Sequence, residues 1–229
     1  MKAMILAAGR GERMRPLTDT VPKPLLEAGG KPLIVWHVER LARAGIRELV
    51  INHAHLGAQI ERALGTGGAY GVSIRYSPEA EALETAGGIA QALPLLGSDP
   101  FLVVNGDIHT DVDFGPLAEV LLNGAPPPLA HLVLVDNPVH NPDGDFALDG
   151  PFAIDSGMPR YTFSGVGVYR PELFAGIVRG TKARLAPLLV AAMRERRVTA
   201  ERHRGYWLDV GTPARLAELD RHLRAPPTV

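Results

Sequence analysis

Three cations, Arg13, Arg15 and Lys23, stand in and just beyond a loop punctuated by Gly9 and Gly11. The loop follows a short apolar run, Ala3-Met4-Ile5-Leu6, which reads as a buried first strand. Glycine serves where a backbone must take positive φ or come close to a ligand. Amides in such a loop can cradle a polyphosphate while cations neutralise it. An ordinary tight turn with solvated arginines fits the same residues. The loop is not a P-loop, because GxxxxGK followed by Ser or Thr is absent. It is not GxGxxG either, and the second apolar run ends in Asn52 rather than an acidic residue, which argues against a dinucleotide site. Two carboxylates offer complementary chemistry. Asp107 closes the apolar run Phe101-Leu102-Val103-Val104 after Asn105-Gly106, and Asp209 lies in WLDVGTP, residues 207–213. A carboxylate at a strand's carboxyl end sits where open α/β sheets bind ligands and can hold Mg²⁺ against a phosphate. Each also reads as a turn or N-cap aspartate, and Thr212-Pro213 looks like an N-cap and first helical residue.

The stretch from Leu6 through Leu26, LAAGRGERMRPLTDTVPKPLL, closely resembles the signature LAAGxGTRLxPLTxxxPKPLL of the sugar-1-phosphate nucleotidyltransferases. Glu12 replaces the usual Thr and Met14 the usual Leu. VVNGD and WLDVGTP resemble the family's two acidic motifs, and LETAGG, residues 83–88, its nucleoside loop, with Glu84 where Gly is usual. The resemblance implies a catalytic set of Arg13, Lys23, Asp107 and Asp209, with both aspartates as Mg²⁺ ligands. It implies nucleotide contacts from Ala8, Gly9, Gly11, Glu12, Arg13, Lys23, Glu84, Thr85, Gly87 and Gly88. Glu79 falls where related enzymes place a base reader, and a carboxylate there could accept the N3–H of uracil or thymine. Asn105, Gly144, Ser164 and Asp209 would meet the sugar substrate. The glutamate that the family often sets ahead of the second sugar-side loop is not evident here.

The implied reaction is attack of a sugar 1-phosphate on the α-phosphorus of an NTP, with pyrophosphate leaving. Within the family, the short chain, PKPLL, ETAGGI and NPxGDF most resemble the branch that uridylylates N-acetylmuramate 1-phosphate in bacterial cell-wall recycling. Rivals are guanylyl transfer to mannose 1-phosphate, uridylyl or thymidylyl transfer to glucose 1-phosphate, and a catalytically silent sugar-nucleotide sensor. A muramate carboxylate would need a cation, for which Arg160, Lys182, Arg184, Arg202 and Arg204 are candidates.

Elements must carry these residues. The 229 residues are 46% hydrophobic, enough for one large α/β domain. Residues 1–110 would mainly bind nucleotide and 111–229 mainly the sugar phosphate. Members of the family often add a β-helical domain, for which this chain leaves no length. Lys+Arg 24 against Asp+Glu 25 gives no support for bulk nucleic-acid or membrane binding. Without cysteine, disulfides and thiolate metal sites are excluded. No apolar run reaches the ~20 residues of a membrane span, and no signal peptide is evident, so a cytoplasmic protein is expected.

Spacing predicts helices over 31–44, 56–64, 88–96, 114–122, 171–178, 185–196 and 214–223. Strands are expected at 48–52, 72–76, 101–104, 131–135, 161–169 and 198–203, with loops at 123–128, 137–151 and 207–213 and a frayed tail at 225–229. The β-α-β alternation of the first half implies a Rossmann-like mixed, mostly parallel sheet flanked by helices. The histidines at 37, 53, 55, 109, 131 and 203 show no metal-ligand spacing, and Trp36 and Trp207 read as packing residues.

Overall fold

The computed structural model describes residues 1–120 and 126–225. The apolar run ahead of the glycine loop becomes β1 (Lys2–Leu6), whose middle three residues are fully buried. The loop turns through short 3₁₀ segments into a small hairpin, β2 (Glu27–Ala28) and β3 (Lys31–Pro32). Alternation follows: α1 (Leu33–Arg43), β4 (Glu48–His53), α2 (Gly57–Leu64), β5 (Ser73–Pro78), α3 (Glu84–Leu96) and β6 (Phe101–Asn105). The second half contributes β7 (Ile108–Thr110), α4 (Leu117–Val120), β8 (Ala130–Val135), β9 (Phe146–Asp149), β10 (Phe152–Ile154) and β11 (Arg160–Tyr169). It ends with α5 (Leu185–Arg194), β12 (Val198–Arg202), β13 (Trp207–Asp209) and α6 (Pro213–Arg224).

Nine strands form one mixed sheet in the order β5-β4-β1-β6-β11-β8-β12-β10-β9. The first four run parallel, as helical crossovers require. β11 then enters antiparallel to both β6 and β8, and β12 is parallel to β8. Parallel strands are buried on both faces, which is why they read as unbroken apolar runs. One apolar layer, including Ile34, Val38, Leu41, Ile60 and Leu64, lies between the sheet and α1 and α2. The other gathers Ile89, Leu96, Leu189 and Met193 of α3 and α5 around Phe101, Tyr169 and Phe174, whose rings lie 5.8–6.5 Å apart. Fully burying one such side chain stabilises the fold by about 1.5–3 kcal/mol.

Some expectations shift. α3 begins at Glu84 rather than Gly88, and residues 171–178 hold only a 3₁₀ turn, Pro171–Phe174. The helix expected over 114–122 is the single turn α4, and residues 121–125, with part of the expected loop at 123–128, lie outside the described residues. Residues 226–229 of the tail also lie outside them. The loop expected at 207–213 contains β13, made extended by pairing with β7 rather than by its own propensity. Among the described residues no helix is long and apolar enough to cross a membrane.

Two core histidines make the fold sensitive to acid. Burial lowers His37 from 6.5 to about 4, and burial does the same to His131. His37 Nε2 meets the Ile108 carbonyl at 2.8 Å, and its Nδ1 is buried without a partner. A base whose pKa is lower in the native state binds fewer protons there than when unfolded. Stability is therefore full above the unfolded pKa of 6.5 and falls as pH drops towards about 4. Urea midpoints should be lower at pH 5 than at pH 7.5, on the order of 2 kcal/mol for each buried histidine. Equal midpoints at the two pH values would contradict this account.

Candidate active site

Four elements deliver the site to the carboxyl ends of the parallel strands. β1 ends at Leu6, whose carbonyl accepts from Gly106 N at 2.8 Å, so the first loop and the Asp107 turn leave the sheet side by side. A Cβ on Gly106 would stand 2.6 Å from that carbonyl oxygen, so only glycine permits this approach. Gly11, at φ 68°, turns the loop, and Thr18 Oγ1 donates to its carbonyl at 2.8 Å. Asn52, the residue that argued against a dinucleotide site, ties this loop to a third element. Its Oδ1 accepts from Ala7 N at 2.9 Å and its Nδ2 donates to Glu79 Oε1 at 2.7 Å.

The two aspartates are brought together by backbone. β7 and β13 pair antiparallel with Asp209 opposite Ile108, and Val210 N donates to the Asp107 carbonyl at 2.8 Å. Each carboxylate has its own cation. Lys23 Nζ lies 2.6 Å from Asp107 Oδ2 and Arg215 Nη1 2.7 Å from Asp209 Oδ2. Lys23 is buried, which strengthens its pair relative to a surface contact. His140 Nε2 is 3.1 Å from the same Asp209 oxygen. Neither Oδ1 has a protein hydrogen-bond partner among the described residues. Burial and then Arg40 hold neighbouring His109 at about 4, so it is neutral at pH 7 and adds no charge beside Asp107.

One cleft is lined by Ala8, Gly9, Lys23, Glu84, Thr85, Asn105 and Asp107. A second opens beside it, with Asn105, Asp145, Phe163 and Arg184 in its wall. Gly11, Glu12, Arg13 and Gly211 surround a further recess shared with Lys23 and Asp107. The structure thus gathers most of the expected residues around one opening. Arg15 turns away to Asp19 at 3.1 Å, a surface pair.

Several of the expected residues are also engaged within the protein, and Glu79 and Asn52 share the wall of the first cleft. Glu79 is buried and braces a loop: Oε1 holds Asn52 and Oε2 accepts from Leu83 N at 2.9 Å, so both oxygens already serve protein donors. The Gly87 amide bonds to the Ala183 carbonyl at 3.1 Å, and a Cβ there would strike the Thr181 carbonyl. A Cβ on Gly88 would lie 2.8 Å from Glu79 Oε1. Both glycines permit close packing here. Glu84 adopts φ 60°, a conformation natural to glycine. Ser164 is fully buried, donating to the Val133 carbonyl at 2.7 Å inside a β11 bulge, so its hydroxyl is not free for a sugar. Gly144, at φ 64°, packs on the backbone of Arg160 and Tyr161. Arg215 and His140 were missed. The signal for Arg215 was present: with Thr212 as N-cap it is the third helical residue, and helical side chains lean towards the N-terminus.

A nucleotidyl transferase family model matches residues 2–137, more than half of the chain. The chain belongs to the nucleotidyl transferase family. It is 62% identical over 222 residues to N-acetylmuramate alpha-1-phosphate uridylyltransferase of Neisseria meningitidis serogroup B, covering 95% of this chain and 96% of that protein. It is 31% identical to a mannose-1-phosphate guanyltransferase of Aspergillus oryzae, over 93% of this chain but 61% of the relative's length. A solved Bacillus anthracis structure holding sucrose superposes with a TM-score of 0.87 at 24% identity, covering 100% of this chain and 97% of that one. HddC from Yersinia pseudotuberculosis, complexed with GMP-PN, superposes with a TM-score of 0.78 at 18% identity, covering 97% and 99%. These likenesses speak for the fold.

The family's loop cations can be ranked by where they point. Arg13→Ala and Lys23→Ala should each lower kcat/KM by about 2 kcal/mol or more, roughly 30-fold, while Arg15→Ala changes it by less than about two-fold. Steady-state pyrophosphate release checks this. Greater damage from Arg15→Ala than from Arg13→Ala would refute the ranking.

Proposed function

We propose that this nucleotidyltransferase transfers a uridylyl group from UTP to N-acetylmuramate α-1-phosphate, giving UDP-N-acetylmuramate and pyrophosphate in bacterial cell-wall recycling. The observation that carries the choice of substrates is the 62% identity, along nearly the whole chain, to a relative of that name. The geometry supports the reaction class. The attacking phosphate oxygen is already an anion, so no general base is needed. The difficulty is bringing one phosphate onto another, and positioning with charge neutralisation answers it. Lys23, anchored beside the cleft, would bridge the two phosphates. Arg13 and the loop amides would steady the departing pyrophosphate. Residues 1–110 would carry most of the nucleotide contacts and 111–229 most of those to the sugar.

Among the described residues no cluster of three or more His, Asp or Glu could hold a metal, so a cation here would rest on Asp107 and Asp209. That donor set fits Mg²⁺, which uses one or two carboxylates and completes its shell with water and substrate phosphates. When bound, Mg²⁺ would supply a template and a Lewis acid at the phosphates. Asp107→Asn and Asp209→Asn should each cost about 3 kcal/mol or more of transition-state stabilisation in folded protein. Near-normal turnover by either variant removes that residue from the reaction. In a panel of NTPs and sugar 1-phosphates with Mg²⁺, UTP with the muramate substrate should give the highest kcat/KM. A preference for GTP with mannose 1-phosphate would overturn the assignment.

The muramate carboxylate needs a cation, and four of the five candidates differ from the fifth in their surroundings or position. Arg160 is spent on the carbonyls of Asp155 and Asp145, Arg202 on Asp136, and Lys182 on Glu81. Arg204 is not part of the wall of the second cleft; Arg184 is, and among the described residues its one ion pair is a 3.4 Å contact with Glu84. Arg184→Ala should raise KM for N-acetylmuramate 1-phosphate, but not for N-acetylglucosamine 1-phosphate, by about 1–3 kcal/mol. Equal shifts for both sugars would exclude Arg184 as the reader.

A further inference from the structure

Arg215 lies outside every motif that led to the site, yet its guanidinium bonds to Asp209 and lies against Gly211. The side chain is 15% exposed. Nη1 donates to Asp209 Oδ2 at 2.7 Å and lies 2.9 and 3.1 Å from the two ring nitrogens of His140. Nη2 has no acceptor among the described residues. It faces Gly211, where a Cβ would stand 2.6 Å from Arg215 Nη2 and 3.0 Å from Arg13 Nη2. Two guanidinium groups and an Asp209 oxygen therefore approach one glycine. With Lys23, three permanent cations meet two carboxylates. Like charges held this close are unfavourable unless an anion joins them.

Arg215 stands between two sides: Gly211 borders the recess of the glycine loop, and His140 leads towards the second cleft. Arg13 and Lys23 arise from the glycine loop, beside the first cleft. His140, which backs Arg215, belongs to the turn that also carries Asp145, and Asp145 lines the second cleft with Arg184. Resting on the nucleotidyl-transfer reading above, we propose that Arg215, backed by His140, binds the 1-phosphate of the sugar substrate. A planar fork suits a phosphate better than the single carboxylate oxygen it now holds. In the unliganded protein Asp209 keeps the guanidinium oriented, and the incoming phosphate takes over its free donor.

R215Q removes the charge and shortens the side chain while keeping a polar end; R215K keeps the charge and most of the reach and removes the fork. R215Q should raise KM for N-acetylmuramate 1-phosphate about ten-fold or more and leave KM for UTP within about two-fold, with R215K intermediate. Calorimetry without nucleotide or metal should show the sugar phosphate binding weakened by a similar factor in R215Q, a readout independent of turnover. If R215Q melts out, R215K carries the test, with a rise of about three-fold or more confined to the sugar phosphate. An unchanged sugar-phosphate KM, or an equal rise for UTP, overturns the role of Arg215 while nucleotidyl transfer stands. Absence of pyrophosphate release by the wild type on any sugar phosphate overturns the functional reading and this inference with it.

Discussion

Two carboxylates from distant parts of the chain have to meet at the mouth of one sheet. The short ladder between β7 and β13 imposes this, aided by the Val210 amide on the Asp107 carbonyl. Much else follows from that ladder. Once the chain has returned to pair with β7, α6 must lie over the β2–β3 hairpin, where Asp220 accepts from Gly29 N at 2.9 Å. A small apolar cluster fills the gap with Met14, Leu26, Ala28, Leu33, Val210 and Leu219. Met14 is the residue after Arg13, so the same packing that seats the last helix fixes the cation loop.

Charge is balanced pair by pair before any substrate arrives. Asp107 is held by Lys23 and Asp209 by Arg215. An isolated ion at these half-buried positions would be costly, and its partner offsets that cost. Each partner is also a group that a phosphate can recruit. The unliganded site thus keeps its own counter-ions in roughly the positions that a polyanion would use. Preorganisation of this kind limits what must move when substrates bind.

The parallel half of the fold was legible because doubly buried strands and amphipathic helices leave strong periodic signals. β13 was not, since Trp207-Leu208-Asp209 is extended only through its partner in β7. The positions of Asp107 and Asp209, the first loop and the clefts' main residues could be read from motifs in the sequence. Contacts closed within the protein could not. Glu79 and Ser164 occupy positions that suggest ligand contact, yet their polar atoms are used by Asn52, Leu83 and Val133. Gly87 and Gly88 signal close approach, and sequence does not say whether a ligand or a neighbouring strand of chain approaches. His140 reaches Asp209 through a long-range fold contact with no local pattern at all.

The β7–β13 ladder also sets an order of events on the ribosome. Domains are made from the N-terminus at about 5–20 residues per second, and early elements can form while later ones are still being added. The glycine loop, Lys23 and Asp107 emerge in the first half, with β1, β4 and β6 to hold them. Asp209 and Arg215 emerge last. The residues of the first cleft therefore emerge well before the second carboxylate. The pairing of the two carboxylates is completed only when synthesis is nearly finished.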